Sequence, residues 1–190
     1  YTGSSMAAAA NACVNAMSSG TISIRNSGAK NGTINIKSNI TIDGTGRTIS
    51  GGGETGIVYA QNSSNVGARN INMASTDWYG MFFRTCNGVN VSGTGGTANL
   101  AFRIDNCKGG SGYNLTLGSP TSSTNGSTGS HFVETYGIDG ISWGTITSTD
   151  RTGGCGTLLN FSSDASGTAN TATRACWGCG YAGFRTANNN

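Results

Sequence analysis

The chain has 190 residues, the size of one domain of about 100 to 200 residues, and only 10% of them are charged, against about 25% in an ordinary domain. A formal charge of +3 with no Lys/Arg cluster argues against a nucleic-acid partner, and no apolar run reaches the ~18 residues of a membrane helix. Short alternating bursts of Ile, Val, Leu and Phe, set among Gly, Ser, Thr and Asn, argue against disorder and for a strand-rich fold.

From the N-terminus, SSMAAAANACVNAM is the one stretch with a helical pattern, with Ser4 or Ser5 as its cap and apolar residues along one face. The sequence predicts a cap helix within residues 1–18, laid over the first coil of a stack whose strand edges would otherwise stay unpaired. TISIR, TINIK and NITIDG follow as the first strands.

From Ile57 six segments can be superposed: IVYAQNS, MFFRTCN from Met81, LAFRIDN from Leu100, HFVETYG from His131, TLLNFSS from Thr157 and AGFRTAN from Ala182. Most are followed by a second strand, as in ARNINM, GVNVSG, YNLTL and GISWGTITS. Short strands at irregular steps, without intervening helices, are what a stacked β-coil gives when loops of variable length leave one corner. Strand alternation then points the third positions inward, Tyr59, Phe83, Phe102, Val133, Leu159 and Phe184. The fourth positions point outward and form a ladder of Ala60, Arg84, Arg103, Glu134, Asn160 and Arg185, with Cys86, Asp105 and Tyr136 among the sixth positions beside it. Phe82 and Phe132 flank this row as exposed rings. The reading is a single domain over 1–190, with coils over 19–190. AGFRTANNN stops just after a core strand, which predicts an uncovered C-terminal end, continued by further coils or closed by another molecule.

Six cysteines, an even number, fit an oxidising compartment. Cys86 with Cys107 and Cys155 with Cys176 are the candidate disulfides, and the alternative is small buried hydrophobes. The lone C-x-x-C at 176–179 has no second pair or histidine beside it, so no metal site is predicted there.

The amphipathic N-terminal helix, SGTISIR, SNITIDGTGRTISGGG at 38–53 and the irregular coils from Ile57 resemble the pectin-lyase-like superfamily, over nearly all of the chain. GSHFVETYGIDGISWGTITS, GGCGTLLNFSS and GYAGFRTANNN look like bacterial secreted β-helix proteins described as pectate-lyase-like. The resemblance implies an all-β right-handed parallel β-helix (a solenoid), a secreted location and a sugar chain bound along the outside of one sheet. It does not choose an activity, since the superfamily holds lyases, hydrolases, esterases, epimerases, tailspikes and adhesins.

Arg84, Arg103 and Arg185 on the ladder offer planar bidentate donors to uronate carboxylates or sulfates, joined for substrate binding by Asn160, Phe82 and Phe132. The plain alternative is that the arginines bond to Glu134 and Asn160 as a structural ladder. For β-elimination, Arg84 and Arg103 would neutralise the uronate and Tyr136 or an arginine would serve as base. His131 falls on the inner face and reads as a core histidine. For hydrolysis, Asp105 and Glu134 lie one coil and two rungs apart, about 8 Å, within the range for inversion. Only Asp105 and Asp139 come near the groove, so the Asp cluster of a calcium site is missing and no cofactor is expected. The expectation is a secreted protein that binds a polysaccharide, acidic in character, with lyase cleavage ahead of hydrolysis. A non-catalytic structural or adhesive solenoid, associating end to end, is the other class.

Overall fold

The computed structural model describes residues 5–51, 56–74, 79–97, 100–105, 107, 116–117, 133–136, 142–151, 159–162 and 180–189. Helix α1 (Met6–Ala16) opens the chain. Ser5 caps it: the Ser5 hydroxyl accepts from the Ala8 N–H at 3.1 Å, satisfying one of the donors that a helix start leaves unpaired. Ala7, Ala10 and Val14, spaced by three and four residues, form the buried face.

The strands that follow are all parallel-paired and stack into a β-helix. One sheet runs β1 (Gly20–Ser23), β4 (Ile40–Ser50), β6 (Ser64–Ala74) and β8 (Asn87–Ser92), with β2 (Gly28–Ala29) also on β4 and β9 (Gly95–Thr97) also on β6. A second runs β3 (Ile34–Ile36), β5 (Val58–Gln61), β7 (Tyr79–Arg84), β10 (Leu100–Asp105), β12 (Val133–Tyr136) and β14 (Leu159–Ser162). The third joins β11 (Thr116–Leu117), β13 (Ser142–Arg151) and β15 (Gly180–Asn189). The chain is thus the all-β parallel β-helix with a short N-terminal helix that the sequence predicts.

The core consists of like residues stacked coil on coil. Ile22, Ile42, Ala68 and Val91 pair in register on the first sheet, and Ile36, Ala60, Phe83 and Ile104 on the second. All eight are buried. Each large apolar side chain so placed contributes about 1.5–3 kcal/mol. A lysine also lies in the interior: Lys30 is wholly buried and its ammonium donates to the Gly56 carbonyl at 2.9 Å. Its backbone receives the Ala7 N–H and donates to Ser50, which pins the helix to the first coil.

Two corner devices hold the register. At the start of β6, Asn65 donates to the Asn39 side chain at 3.1 Å, and both have left-handed backbones, at φ 53° and 65°. Asn tolerates that conformation because its short polar side chain bonds locally. At the ends of β5, β7 and β10 a side chain donates to the carbonyl two residues back. Ser63 donates to Gln61 at 2.9 Å, Cys86 to Arg84 at 3.3 Å and Cys107 to Asp105 at 3.3 Å. The middle residues Asn62 and Thr85 are left-handed.

This turn corrects the superposition drawn from sequence. Aligning Phe-Arg with Phe-Arg sets Arg84 beside Arg103, yet the structure pairs Arg84 with Gln61 and Asp105, and Arg103 with Phe82. Between β5 and β7 the slip is one residue, so Tyr59 faces outward and Ala60 is buried, the reverse of expectation. Arg185, expected on the same ladder, lies on β15 opposite Thr147 in the third sheet. Cys86 points in, not out, and is buried.

The disulfide expectation is also corrected. Cys86 and Cys107 are neighbours on successive coils, but both are free thiols: the Cys86 N–H donates to the Cys107 sulfur at 3.3 Å. Burial pushes the Cys107 thiol up. Its hydrogen bond to the Cys86 sulfur lowers Cys86 to about 7. Cys155 and Cys176, like His131, lie outside the described residues.

Two predictions follow from the bends. Between Asp43 and Arg47 the pairing of β4 with β6 shifts, and a Cβ on Gly44 would stand 2.5 Å from the Asn70 carbonyl and 2.8 Å from the Ile71 Cα. Gly46 has φ +74° but open space around it. Urea unfolding of Gly44→Ala should show a loss of about 2–3 kcal/mol, from a clash with rigid backbone. Gly46→Ala should lose only about 1 kcal/mol, from conformation alone.

The second concerns Asp43. Burial would raise its carboxyl, but the Thr45 N–H, the Arg69 guanidinium at 2.8 Å and the Asn70 amide outweigh that and hold it below its ordinary value. A depressed carboxyl contributes stability that is present above its unfolded value of about 3.9 and is lost as pH falls through the lower folded one. Thermal melts of Asp43→Asn from pH 6 to pH 2 should therefore show a shallower acid decline than the parent protein, with the curves converging at the acid end.

Candidate functional site on the second sheet

Strand alternation gives the second sheet an outer face with two rows along the stack. One row is Asn35, Tyr59, Phe82, Arg103, Glu134 and Asn160, and the other is Gln61, Arg84, Asp105, Tyr136 and Ser162, each residue opposite the next in backbone register. Parallel strands lie about 4.8 Å apart, so each row is a ladder with that rise. Arg84, Arg103, Asp105, Glu134, Tyr136, Asn160 and Phe82 therefore occupy neighbouring register positions in these two rows. Arg185 does not, and Phe132 lies outside the described residues.

The lower part of this face is aromatic. The rings of Tyr59 and Phe82 are 5.3 Å apart, tilted at 57°, and the Arg103 guanidinium stands 5.1 Å from the Phe82 centroid. Tilted aromatic pairs and a cation over a ring face are both favourable arrangements. Phe82 is consequently only 8% exposed, so it is a covered ring on the outer face and not the exposed one expected. The Tyr59 hydroxyl donates to Gln61 at 2.8 Å. Burial raises its pKa above the ordinary tyrosine value, Arg84 opposes this, and Cys86 and Asp105 add to it, so Tyr59 stays a neutral donor at physiological pH.

Charge is handled differently by Arg84 and Arg103. Arg103 donates through Nε to Asp105 at 2.9 Å, and the pair is largely buried, with side-chain exposures of 17% and 1%. Arg84 is exposed. It stands between Gln61 and Asp105 in register. The two arginines that look equivalent in the sequence therefore divide into a structural, ion-paired one and a solvent-facing one.

Asp105 and Glu134 are diagonal neighbours. Arg103 faces Glu134 and Asp105 faces Tyr136, so one strand spacing and two residue rises separate the two carboxyl-bearing positions, about 8 Å. That is the placement expected from sequence, because β10 and β12 keep the expected register. No group of three or more His, Cys, Asp or Glu with metal-binding spacing occurs among the described residues, and Asp139 lies outside them.

Tyr59 and Gln61 belong to this face and were missed by the sequence reading. A signal was present: Gln-Asn-Ser at 61–63, Arg-Thr-Cys at 84–86 and Asp-Asn-Cys at 105–107 superpose as turns, with a hydrogen-bonding third residue in each. Aligning on these turns, and not on Phe-Arg, recovers the observed rows.

No protein-family model matches the chain, and no curated protein matches it. Among solved structures it is similar to one titled a "putative glycosyl hydrolase" from Parabacteroides merdae ATCC 43184. The two share 15% identity with a TM-score of 0.56, over 91% of this chain and 87% of that one. Likeness at this identity shows the fold.

Removing Asp105 leaves the Arg103 charge without that partner in a largely dry position, whereas removing Arg84 costs an exposed side chain. Denaturant unfolding should show Asp105→Ala destabilised by about 3–5 kcal/mol and Arg84→Ala by less than about 0.5 kcal/mol.

Proposed function

We propose that the outer face of the second sheet binds a polysaccharide, acidic in character, and that Asp105 and Glu134 cleave it by inverting hydrolysis. The observation that carries this reading is the diagonal register of the two carboxyl-bearing positions on a face that also holds an exposed guanidinium and paired aromatic rings. Their separation of about 8 Å leaves room for the water that inversion places between base and sugar. One carboxyl group donates its proton to the leaving oxygen while the other takes a proton from the attacking water, which bonds to the anomeric carbon as the glycosidic bond breaks. Asp105, ion-paired with Arg103, suits the base, and Glu134 the acid. Arg103 covers Asp105, so the carboxylate is reached when that guanidinium turns toward a bound anionic sugar. The likeness to a protein titled as a glycosyl hydrolase supports sugar chemistry on this fold. Secretion is part of the proposal, since such a substrate lies outside cells.

A second reading is β-elimination, favoured by Arg84. Its exposed guanidinium is placed to neutralise a uronate, and Tyr136, two strands along the same row, would remove the proton.

Incubating the protein with a panel of uronic-acid and neutral polysaccharides separates these readings. Hydrolysis should raise reducing ends without absorbance near 235 nm, and Glu134→Gln should abolish the signal while binding persists. Growth of that absorbance would identify elimination instead. Arg84→Ala should weaken binding of acidic chains about tenfold, the worth of one charge-assisted contact, and leave neutral chains unaffected. With no cleavage or binding across the panel, the face would be structural.

A further inference from the structure

Among the described residues, the N-terminal end of the stack is covered by a helix side chain on one sheet and by no strand on the other. On the second sheet Asn11 of α1 acts as a surrogate strand: its amide donates to the Thr33 carbonyl at 2.9 Å and its oxygen accepts from the Asn35 N–H at 2.8 Å. Both bonds go to the outer edge of β3. On the first sheet β1 is the terminal strand, with β4 as its partner. The Gly20 N–H donates to Asn39 and the Ile24 N–H to Asp43, so even-numbered residues of β1 face β4. Alternation turns the N–H and C=O groups of Thr21 and Ser23 to the opposite edge, where no strand of the described residues lies. Both residues are exposed.

That edge opens into a groove of about 280 Å³ between α1 and β1, with Met6, Ala10 and Cys13 on the helix side and Ile22 and Ile24 on the strand side. Arg25 also lines it and is exposed. Three requirements for adding a strand thus coincide: backbone donors and acceptors at alternate residues, an apolar slot for one inward side chain, and a cation at a fixed distance along the strand.

We propose that this edge is a docking site for an extended, acidic peptide segment of another protein, which pairs with Thr21 and Ser23, seats an apolar side chain in the groove and places a carboxylate on Arg25. The charge selects the occupant: Asp43, opposite Ser23, is already held by Arg69 and Asn70, which leaves the groove end positive. The site lies apart from the outer face of the second sheet and does not depend on the reading of that face.

The test uses the full chain and a fluorescent eight-residue peptide alternating valine with threonine and carrying one glutamate, with a twin carrying lysine in its place. Fluorescence anisotropy should show binding of the glutamate peptide at least tenfold tighter than its twin. Ser23→Pro removes an edge N–H that β4 does not use, a position where a sheet tolerates proline, and should weaken binding at least tenfold with a parent-like melting curve. Arg25→Glu, outside the strand, should reverse the preference between the two peptides, and decides the matter if Ser23→Pro fails to fold. Equal binding of both peptides, or binding indifferent to Arg25→Glu, would overturn the proposal. So would sedimentation velocity showing a concentration-dependent dimer of the chain that Ser23→Pro abolishes, because the occupant would then be a second copy.

Discussion

A side chain that donates to the carbonyl two residues back ends β5, β7 and β10 of the second sheet and sets where the next coil begins. Ser63, Cys86 and Cys107 perform it in three successive coils. Parallel pairing alone would accept several registers, because backbone ladders are indifferent to side chains. The turn removes that freedom, since a left-handed residue followed by a buried donor fits only one place in the coil. Once it is set, Phe83 falls on Ala60 and Ile104 inside, and Arg84 falls between Gln61 and Asp105 outside. The core and the outer face are two consequences of one constraint. It also explains why serine and cysteine interchange at this corner: each is small, buried and able to donate one hydrogen bond.

The same economy governs charge. With so few ionisable residues, several of those described are committed to the fold: Asp43 with Arg69, Asp105 with Arg103, and Lys30 with a carbonyl beneath the helix. A buried pair such as Asp105 with Arg103 adds little net stability but penalises any arrangement that separates it, so it selects one register over its neighbours. Arg84 and Arg25 are turned instead to solvent, one on the outer face of the second sheet and one at the end of the first strand. Charges that the fold does not use are where recognition of an anionic partner is least costly, because no existing interaction must break.

A β-helix repeats its architecture along one axis, and what distinguishes one coil from the next lies in departures from the repeat. Here these are the diagonal of Asp105 and Glu134, the aromatic pair beneath Arg103, and the helix that closes one sheet edge but not the other. None changes the backbone path. Fold likeness to a solved structure at 15% identity accordingly carries the stack and not these side chains.

The all-β stack, the Ser5-capped helix and the diagonal of Asp105 and Glu134 were legible in the sequence, because alternation, capping and coil length are local patterns. Most second strands were legible for the same reason. The sequence did not show that Tyr59 faces out and Ala60 in, that Arg103 is ion-paired while Arg84 is exposed, or that Arg185 belongs to the third sheet. Each depends on which residue of one coil meets which residue of the next. The repeated Phe-Arg was the louder similarity, but a one-residue shift inverts inside and outside and a two-residue shift exchanges ladder partners. The sequence by itself determined that these strands would stack; the tertiary structure decided who stands above whom, because register is settled by turn geometry and core packing acting together across residues more than twenty apart.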